Sequence, residues 1–322
     1  MAAGNTHKKF SLNSIIVPLS FSILFFGFNC NLFAQNWLPA NVFLTKAYKK
    51  YHIIGLDEGP HGTIQGHAFL RSLINDKQVS RTIDYIILEF ASSTQQATVD
   101  QFVNGGDVSD SDLKKIWRTG TQAHNSGYGE APVFLKLLES IRSLNKKNSH
   151  KIRVIAGDPG LDWNKIDNFK SYIGSLGQRD LYPAHQAIHY GIELKKNVLL
   201  IYGGGHFNKF NKNNNLNKDL KQDSTHWSID YFVNSKYPGS MMTIGVTDKL
   251  PSGAATGKNR FMAFVNQNGT NDFKNDAIWY MSDLSTWVED KPAFIEEPYW
   301  DELNRRSLLV WREGIDSTLK KK

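Results

Sequence analysis

The chain has 322 residues, 40% of them hydrophobic, with a single cysteine and a formal net charge of +7. That length and apolar content exclude a disordered tail and a disulfide-stapled miniprotein, and suit one large or two small globular domains. The charge is milder than it looks: without Lys8 and Lys9 of a leader, 36 basic residues face 31 acidic ones, and no basic stripe with interleaved aromatics points to nucleic acid.

Residues 1–34 read as a secretory signal. Lys8 and Lys9 form a basic start, Ser14–Phe28 is mostly apolar but broken by Pro18 and several serines, and Leu32-Phe33-Ala34 ends on a small residue suited to cleavage. The expected product is an exported chain, periplasmic or secreted, running from Gln35 with no integral membrane span and no cysteine. Acylation at Cys30, giving a lipoprotein, is the weaker reading, because Phe28 and Asn29 precede it where small or aliphatic residues are wanted.

Residues 35–322 are expected to form one domain in which strand and helix signals alternate. That pattern predicts an α/β fold: a largely parallel sheet with helices on both faces and an added helical layer over the C-terminal edge of the strands. A first strand, Tyr51–Leu56, leads to a helix over Thr63–Asn75 with Phe69, Leu70, Leu73 and Ile74 at helical spacing. A second strand, Asp84–Phe90, is followed by Ser93-Thr94-Gln95-Gln96, a capping-box pattern that opens a helix ended by Gly105-Gly106. Ser109–Asp112 caps a short helix through Trp117, and Pro132–Lys146 carries Val133, Leu137, Ile141 and Leu144 on one face. A third strand (Lys151–Ala156), a helical region (Trp163–Lys195), a fourth strand (Asn197–Tyr202), a fifth (Met241–Val246) and a helical tail (Trp300–Leu319) follow. The stretch of about 92–150 exceeds what one crossover needs and reads as a helical insert. The Asn- and Lys-rich stretch of about 207–221 reads as a mobile loop, either plain surface or a lid, and Leu250–Asn259 as another loop.

The strand ends carry the chemistry. The first strand runs into Asp57-Glu58-Gly59-Pro60-His61-Gly62, the second ends at Glu89, the third at Gly157-Asp158, and the fourth at Gly203-Gly204-Gly205-His206. In a parallel sheet that edge is where ligands bind. Glu58 and His61, three apart, can face one point, and a carboxylate beside an imidazole makes a general base. Glu89 at the end of Ile86-Ile87-Leu88 needs a partner such as His61 or an arginine. Asp158 reads equally well as a functional residue and as an Asx-turn residue beside Pro159. His185 and His189, four apart, are a weak metal-ligand pattern. Neither a Gly-x-Ser-x-Gly elbow nor a P-loop is present.

Together these residues resemble the erythromycin esterase-like family, within the wider group that includes ChaN-like haem-uptake and Tiki-type proteins. Gly55-Leu56-Asp57-Glu58-Gly59-Pro60-His61-Gly62 follows that family's Gly-Leu-Gly-Glu-x-x-His-Gly pattern, with Asp57 in place of one Gly. Ile87-Leu88-Glu89, Trp117, the Leu137–Asn145 segment, Gly157-Asp158, Arg179-Asp180 with Ala184, and His206 follow in order, so the likeness spans Ile53 to Phe207. Where erythromycin esterases carry His-Asn-x-His, this chain has Gly203 and Gly204 in the first two places, closer to ChaN-like proteins, so macrolide hydrolysis is not implied. The resemblance implies an ester or lactone hydrolase acting on a small molecule: His61 activates water, Glu58 and Glu89 position it, and His206 assists, with Asp158, Arg179 and Asp180 binding substrate or supporting the site. A divalent ion, Zn²⁺ or Mn²⁺, on Glu58, His61, Glu89 and His206 suits the same residues, and the metal-free and metal-assisted versions both stand. The alternatives are a haem- or iron-binding protein using His206, His61 or Tyr128, and an inactive scaffold.

Overall fold

The computed structural model describes residues 38–124, 130–177, 179–207, 228–248, 260–263, 275–281 and 284–320. The leader with Cys30, the stretch 208–221, Tyr128 and Leu250–Asn259 lie outside the described residues. One sheet contains β1 (Leu38–Pro39), β2 (Ile53–Asp57), β3 (Tyr85–Ser92), β4 (Arg153–Asp158), β5 (Val198–Tyr202), β6 (Met241–Thr247), β7 (Arg260–Ala263) and β8 (Ala277–Tyr280). Their order is β1-β7-β8-β6-β2-β5-β3-β4. From β8 to β4 the neighbours are parallel, and β7 pairs antiparallel with β8 and β1. The fold is α/β with a largely parallel sheet. Parallel strands are covered on both faces and so need unbroken apolar runs. Ile53-Ile54, Ile86–Leu88, Val154–Ala156 and Val198–Ile201 supply them, and all are buried.

Helices cover both faces. On one face α1 (Ala40–Ala47), α2 (Ile64–Asn75), α3 (Lys77–Thr82), α4 (Gln96–Val103), α5 (Asp110–Arg118) and α6 (Pro132–Lys147) bury Leu44, Leu70, Val79, Val99, Ile116 and Leu137 against Ile54, Leu88 and Ile201. On the other, α8 (Leu181–Ala187), the π-helical turn Ile188–Glu193 and α9 (Ile229–Lys236) pack Ala184, Ile188 and Val233 against Ile87, Leu200 and Tyr202. Two helices, α7 (Phe169–Ser175) and α10 (Tyr299–Trp311), form a satellite around Trp163, Tyr172 and Val310. Among the described residues no helix is long and apolar enough to cross a membrane.

Several local expectations change. Ser93 does not cap α4: its hydroxyl donates to Pro159 O at 2.7 Å, and Ser93–Gln95 is a 3₁₀ turn. Gln96 turns its carboxamide onto the sheet edge instead, donating to Val154 O (2.9 Å) and accepting from Ala156 N–H (2.8 Å). The helical region 163–195 is broken into a 3₁₀ turn, α7, α8 and the π turn, and the C-terminal helix stops at Trp311, where Arg312 takes a left-handed φ of 61°. The sequence reading missed β1, β7 and β8, strands of two to four residues too short for periodicity, along with α1, α3 and α9.

Candidate active site

The chain runs from β2 outward to β3 and β4, then returns to insert β5 between β2 and β3. That reversal is a switch point at the C-terminal ends of the three central strands, the place where an open parallel sheet holds ligands. Glu58 follows β2, Gly203 and His206 follow β5, and Glu89 lies in β3 where it parts from β5: the last β3–β5 pair is Leu88 with Ile201. β3 runs on past Glu89 to Ser92, and its register with β4 shifts between Leu88 and Ser92. Such an irregularity re-aims a side chain at a sheet edge.

Glu58 is buried at 3% exposure, and its Oε1 meets His61 Nδ1 at 2.6 Å. Its Oε2 is 3.4 Å from Nε2 of His67, a buried histidine on α2. Burial alone would raise the Glu58 carboxyl, but the two histidines outweigh it and hold it below an ordinary glutamate. The intervening loop turns on Gly59 and Gly62, at φ of 76° and 67°, and Gly62 O accepts Asp290 N–H at 2.8 Å. Asp57, the family-pattern departure, pins that loop by accepting from Gly59 N–H (2.9 Å) and Val246 N–H (3.3 Å).

The His61 ring lies against Gly203. A Cβ at position 203 would sit 2.5 Å from its Cε1 and 2.9 Å from its Nε2, so glycine is needed there. The ring keeps 37% of its side chain exposed and opens the site to solvent. Burial lowers its pKa, but the Glu58 hydrogen bond and the Glu89 charge dominate and push it up to about 9. In the ion-free site this favours the protonated ring, and a cation bound at His61 would have to displace a ring proton.

Glu89 is the hub. Its Oε1 accepts from Gln122 Nε2 at 2.7 Å, from Arg179 and from His206 Nε2 at 3.0 Å, and its Oε2 accepts from Gly203 N–H at 2.6 Å. The arginine partner that its burial demands is thus Arg179. Burial would raise this carboxyl, but His206 and Arg179 hold it well below the usual range. His206 Nδ1 meets Asp180 Oδ1 at 2.5 Å. Burial lowers the His206 pKa, Asp180 and Glu89 more than offset that, and it reaches about 10. With carboxylates on both ring nitrogens, His206 is a fixed cation and has no nitrogen left for a metal, contrary to its place in the expected ligand set. Asp158 accepts from Thr121 N–H (3.0 Å), Thr121 Oγ1 (2.5 Å) and Gly160 N–H (2.8 Å), which is the Asx-turn plus a brace.

One ligand atom each from Glu58, His61 and Glu89 lies within 4.8 Å of the others, the one such cluster among the described residues. Imidazole with two carboxylates suits Zn²⁺ or Mn²⁺. His185 and His189 form no such group, and His189 pairs with Glu193 at 2.8 Å. Sequence reasoning missed His67 and Gln122. His67 has a weak signal, six residues after His61 on the buried face of α2, whereas Gln122 sits in a turn without periodicity and has none.

No protein-family model matches the chain, and no curated protein matches it. Among solved structures it is similar to the type III effector HopBA1, at 13% identity over 78% of this chain and 97% of that one, with a TM-score of 0.47. It is similar to a succinoglycan biosynthesis protein at 11% identity over 63% and 68%, TM-score 0.46. It is also similar to ChaN of Campylobacter jejuni, a structure with cofacially bound haem, at 12% identity over 76% and 96%, TM-score 0.41. At these values the likenesses carry nothing about chemistry, and the erythromycin esterase-like resemblance rests on the motifs alone.

Proposed function

We propose that this protein is an exported hydrolase of ester or lactone bonds in a small molecule, acting through water activated at Glu58, His61 and Glu89 with a divalent ion, Zn²⁺ or Mn²⁺, held by those three residues. The supporting observation is the convergence of their three ligand atoms within 4.8 Å at one sheet edge, with His61 open to solvent. An ion of this kind supplies carbonyl polarisation and a more acidic water. The chain's own groups do the rest. Glu58 fixes the His61 ring through Nδ1. Arg179 and His206 hold Glu89 ionised and place positive charge beside it, the field that favours negative charge developing on a carbonyl oxygen. Asp180 keeps His206 in place, and Asp158 braces the turn that reaches Glu89. In this reading residues 1–34 are a cleaved signal, 35–322 are one domain, and the chain belongs with the erythromycin esterase, ChaN and Tiki-type group.

The test is a panel of p-nitrophenyl acetate and γ-butyrolactone with Mn²⁺ or Zn²⁺ added. His61→Ala should lower turnover at least about 100-fold, the lower range for a positioned acid–base group, with folding kept. Full turnover in that variant would show that His61 is not the working group. Haem finds less support: both His206 nitrogens meet carboxylates, which leaves His61 as the one described candidate. A Soret band on adding haem to the purified protein, lost in His61→Ala, would favour haem instead.

A further inference from the structure

The turn 118–124, which follows α5, touches the site on its inner side and the C-terminal helix on its outer side. Inward, Gln122 donates to Glu89 Oε1 at 2.7 Å and Thr121 donates twice to Asp158. Glu89 can only accept, so the orientation of the Gln122 carboxamide is fixed by its chemistry. Outward, Arg306 of α10 donates to Arg118 O (2.7 Å) and Ala123 O (3.1 Å). Trp163 Nε1 donates to Gly120 O at 2.9 Å, and Leu161 N–H donates to Thr119 O at 2.9 Å.

The last link is a chain of side chains. The Trp311 indole N–H, at the end of α10, donates to His124 Nδ1 at 2.9 Å. An indole N–H is a donor only, so Nδ1 is the acceptor and the proton of the neutral ring sits on Nε2. That Nε2 meets Tyr172 OH at 3.1 Å, and the Tyr172 hydroxyl donates to Thr121 O at 3.3 Å. Every polar atom in this sequence has a partner of the right kind, from an exposed helix end to the residue beside Gln122. Nothing in the motif likeness, which stops at Phe207, gives the C-terminal helix such a role.

We propose that Gln122 is a positioning residue for Glu89, and that α10 sets Gln122 through Arg306 and the Trp311–His124–Tyr172 chain. The geometry stands without a metal, and its consequence for ion affinity rests on the proposed function. Gly203 N–H reports on it directly, because its acceptor is the other oxygen of Glu89, at 2.6 Å.

Amide hydrogen exchange of Gly203, referenced to Leu200 and Ile201 in the strand that precedes it, separates positioning from general loosening. Gln122→Met removes the donor at nearly constant volume, and Trp311→Phe removes the indole N–H while keeping an aromatic ring. Gly203 should exchange about 10-fold faster in Gln122→Met and a few-fold faster in Trp311→Phe, with Leu200 and Ile201 unchanged. The double variant should match Gln122→Met, because the two act through one chain. Unchanged Gly203 protection, additive effects, or acceleration shared by the whole strand would overturn the proposal. Mn²⁺ titration of the same samples tests the ion separately: weakening of about 10-fold in Gln122→Met is expected of a group that supports a ligand. A wild type that binds no Mn²⁺ but shows the Gly203 effect would sink the ion reading and leave the positioning role standing.

Discussion

His124 is a histidine kept neutral by its surroundings. Burial, with Arg179 and Arg306 nearby, lowers its pKa to about 4. The unfolded chain therefore binds this proton near the ordinary pKa of about 6.5, and the folded one only near 4. The neutral ring's contribution to stability is fully present above about 6.5 and is lost as the pH falls towards 4, at most about 3 kcal/mol from that shift. His124→Asn should flatten this part of the stability–pH curve in urea titrations, and an unchanged slope there would mean that His124 is not its source. Two site residues give sharper outcomes. Glu89→Ala removes the carboxylate that Arg179, Gln122, His206 and Gly203 N–H share and should cost about 3 kcal/mol as well as activity; an unfolding midpoint equal to wild type would show that this carboxylate is not needed for stability. Gly203→Ala would put a methyl into the His61 ring, so it should remove hydrolysis while leaving the far-ultraviolet dichroism intact, and wild-type rates would refute the close approach. At this scale the sequence was legible where a strand delivered an ionisable group: Glu58, His61 and His206 follow strand ends, whereas Glu89, read as a strand end, lies inside β3 where its pairing with β5 has stopped. The charge of Glu89 beside His61, which adds to that of nearby Glu58, and the pairing of His206 with both Asp180 and Glu89 were not, because the partners come from other strands and helices.

Among the elements, β4 shows how a sheet edge is managed. It is the last strand on its side, and its outward carbonyl and amide at Val154 and Ala156 are taken by the Gln96 carboxamide at the start of α4. Edge groups left open invite pairing with another chain. Gln96→Ala should cost about 1–3 kcal/mol, the range for a polar group left unmade in a buried place, and should speed amide exchange at Ala156; unaltered exchange would show that water replaces the side chain. The long parallel strands and the amphipathic helices α2 and α6 could be read from periodicity because each buries a continuous stripe. The short strands β1, β7 and β8 could not, and the capping-box reading at Ser93 failed because Ser93 found Pro159 O, contributed by a turn 66 residues away, and Gln96 found the edge of β4.

For the whole molecule, the reversal of strand order around β5 gathers the site, and the C-terminal part, which matched no motif, holds its outer wall through Arg306 and Trp311. The α/β fold could be read from alternating strand and helix signals. The role of the last helix could not, since Arg306 bonds to backbone carbonyls and Trp311 to a histidine 187 residues away, contacts that leave no pattern in the helix's own sequence. The most direct test of the account is metal content. After dialysis against Zn²⁺ or Mn²⁺ and removal of free ion, the chain from Gln35 to Lys322 should carry one divalent ion per molecule by elemental analysis, and Glu58→Ala and His61→Ala should carry none. A folded wild-type protein without bound ion, or variants that keep it, would contradict the assignment of Glu58, His61 and Glu89 as the centre of this site.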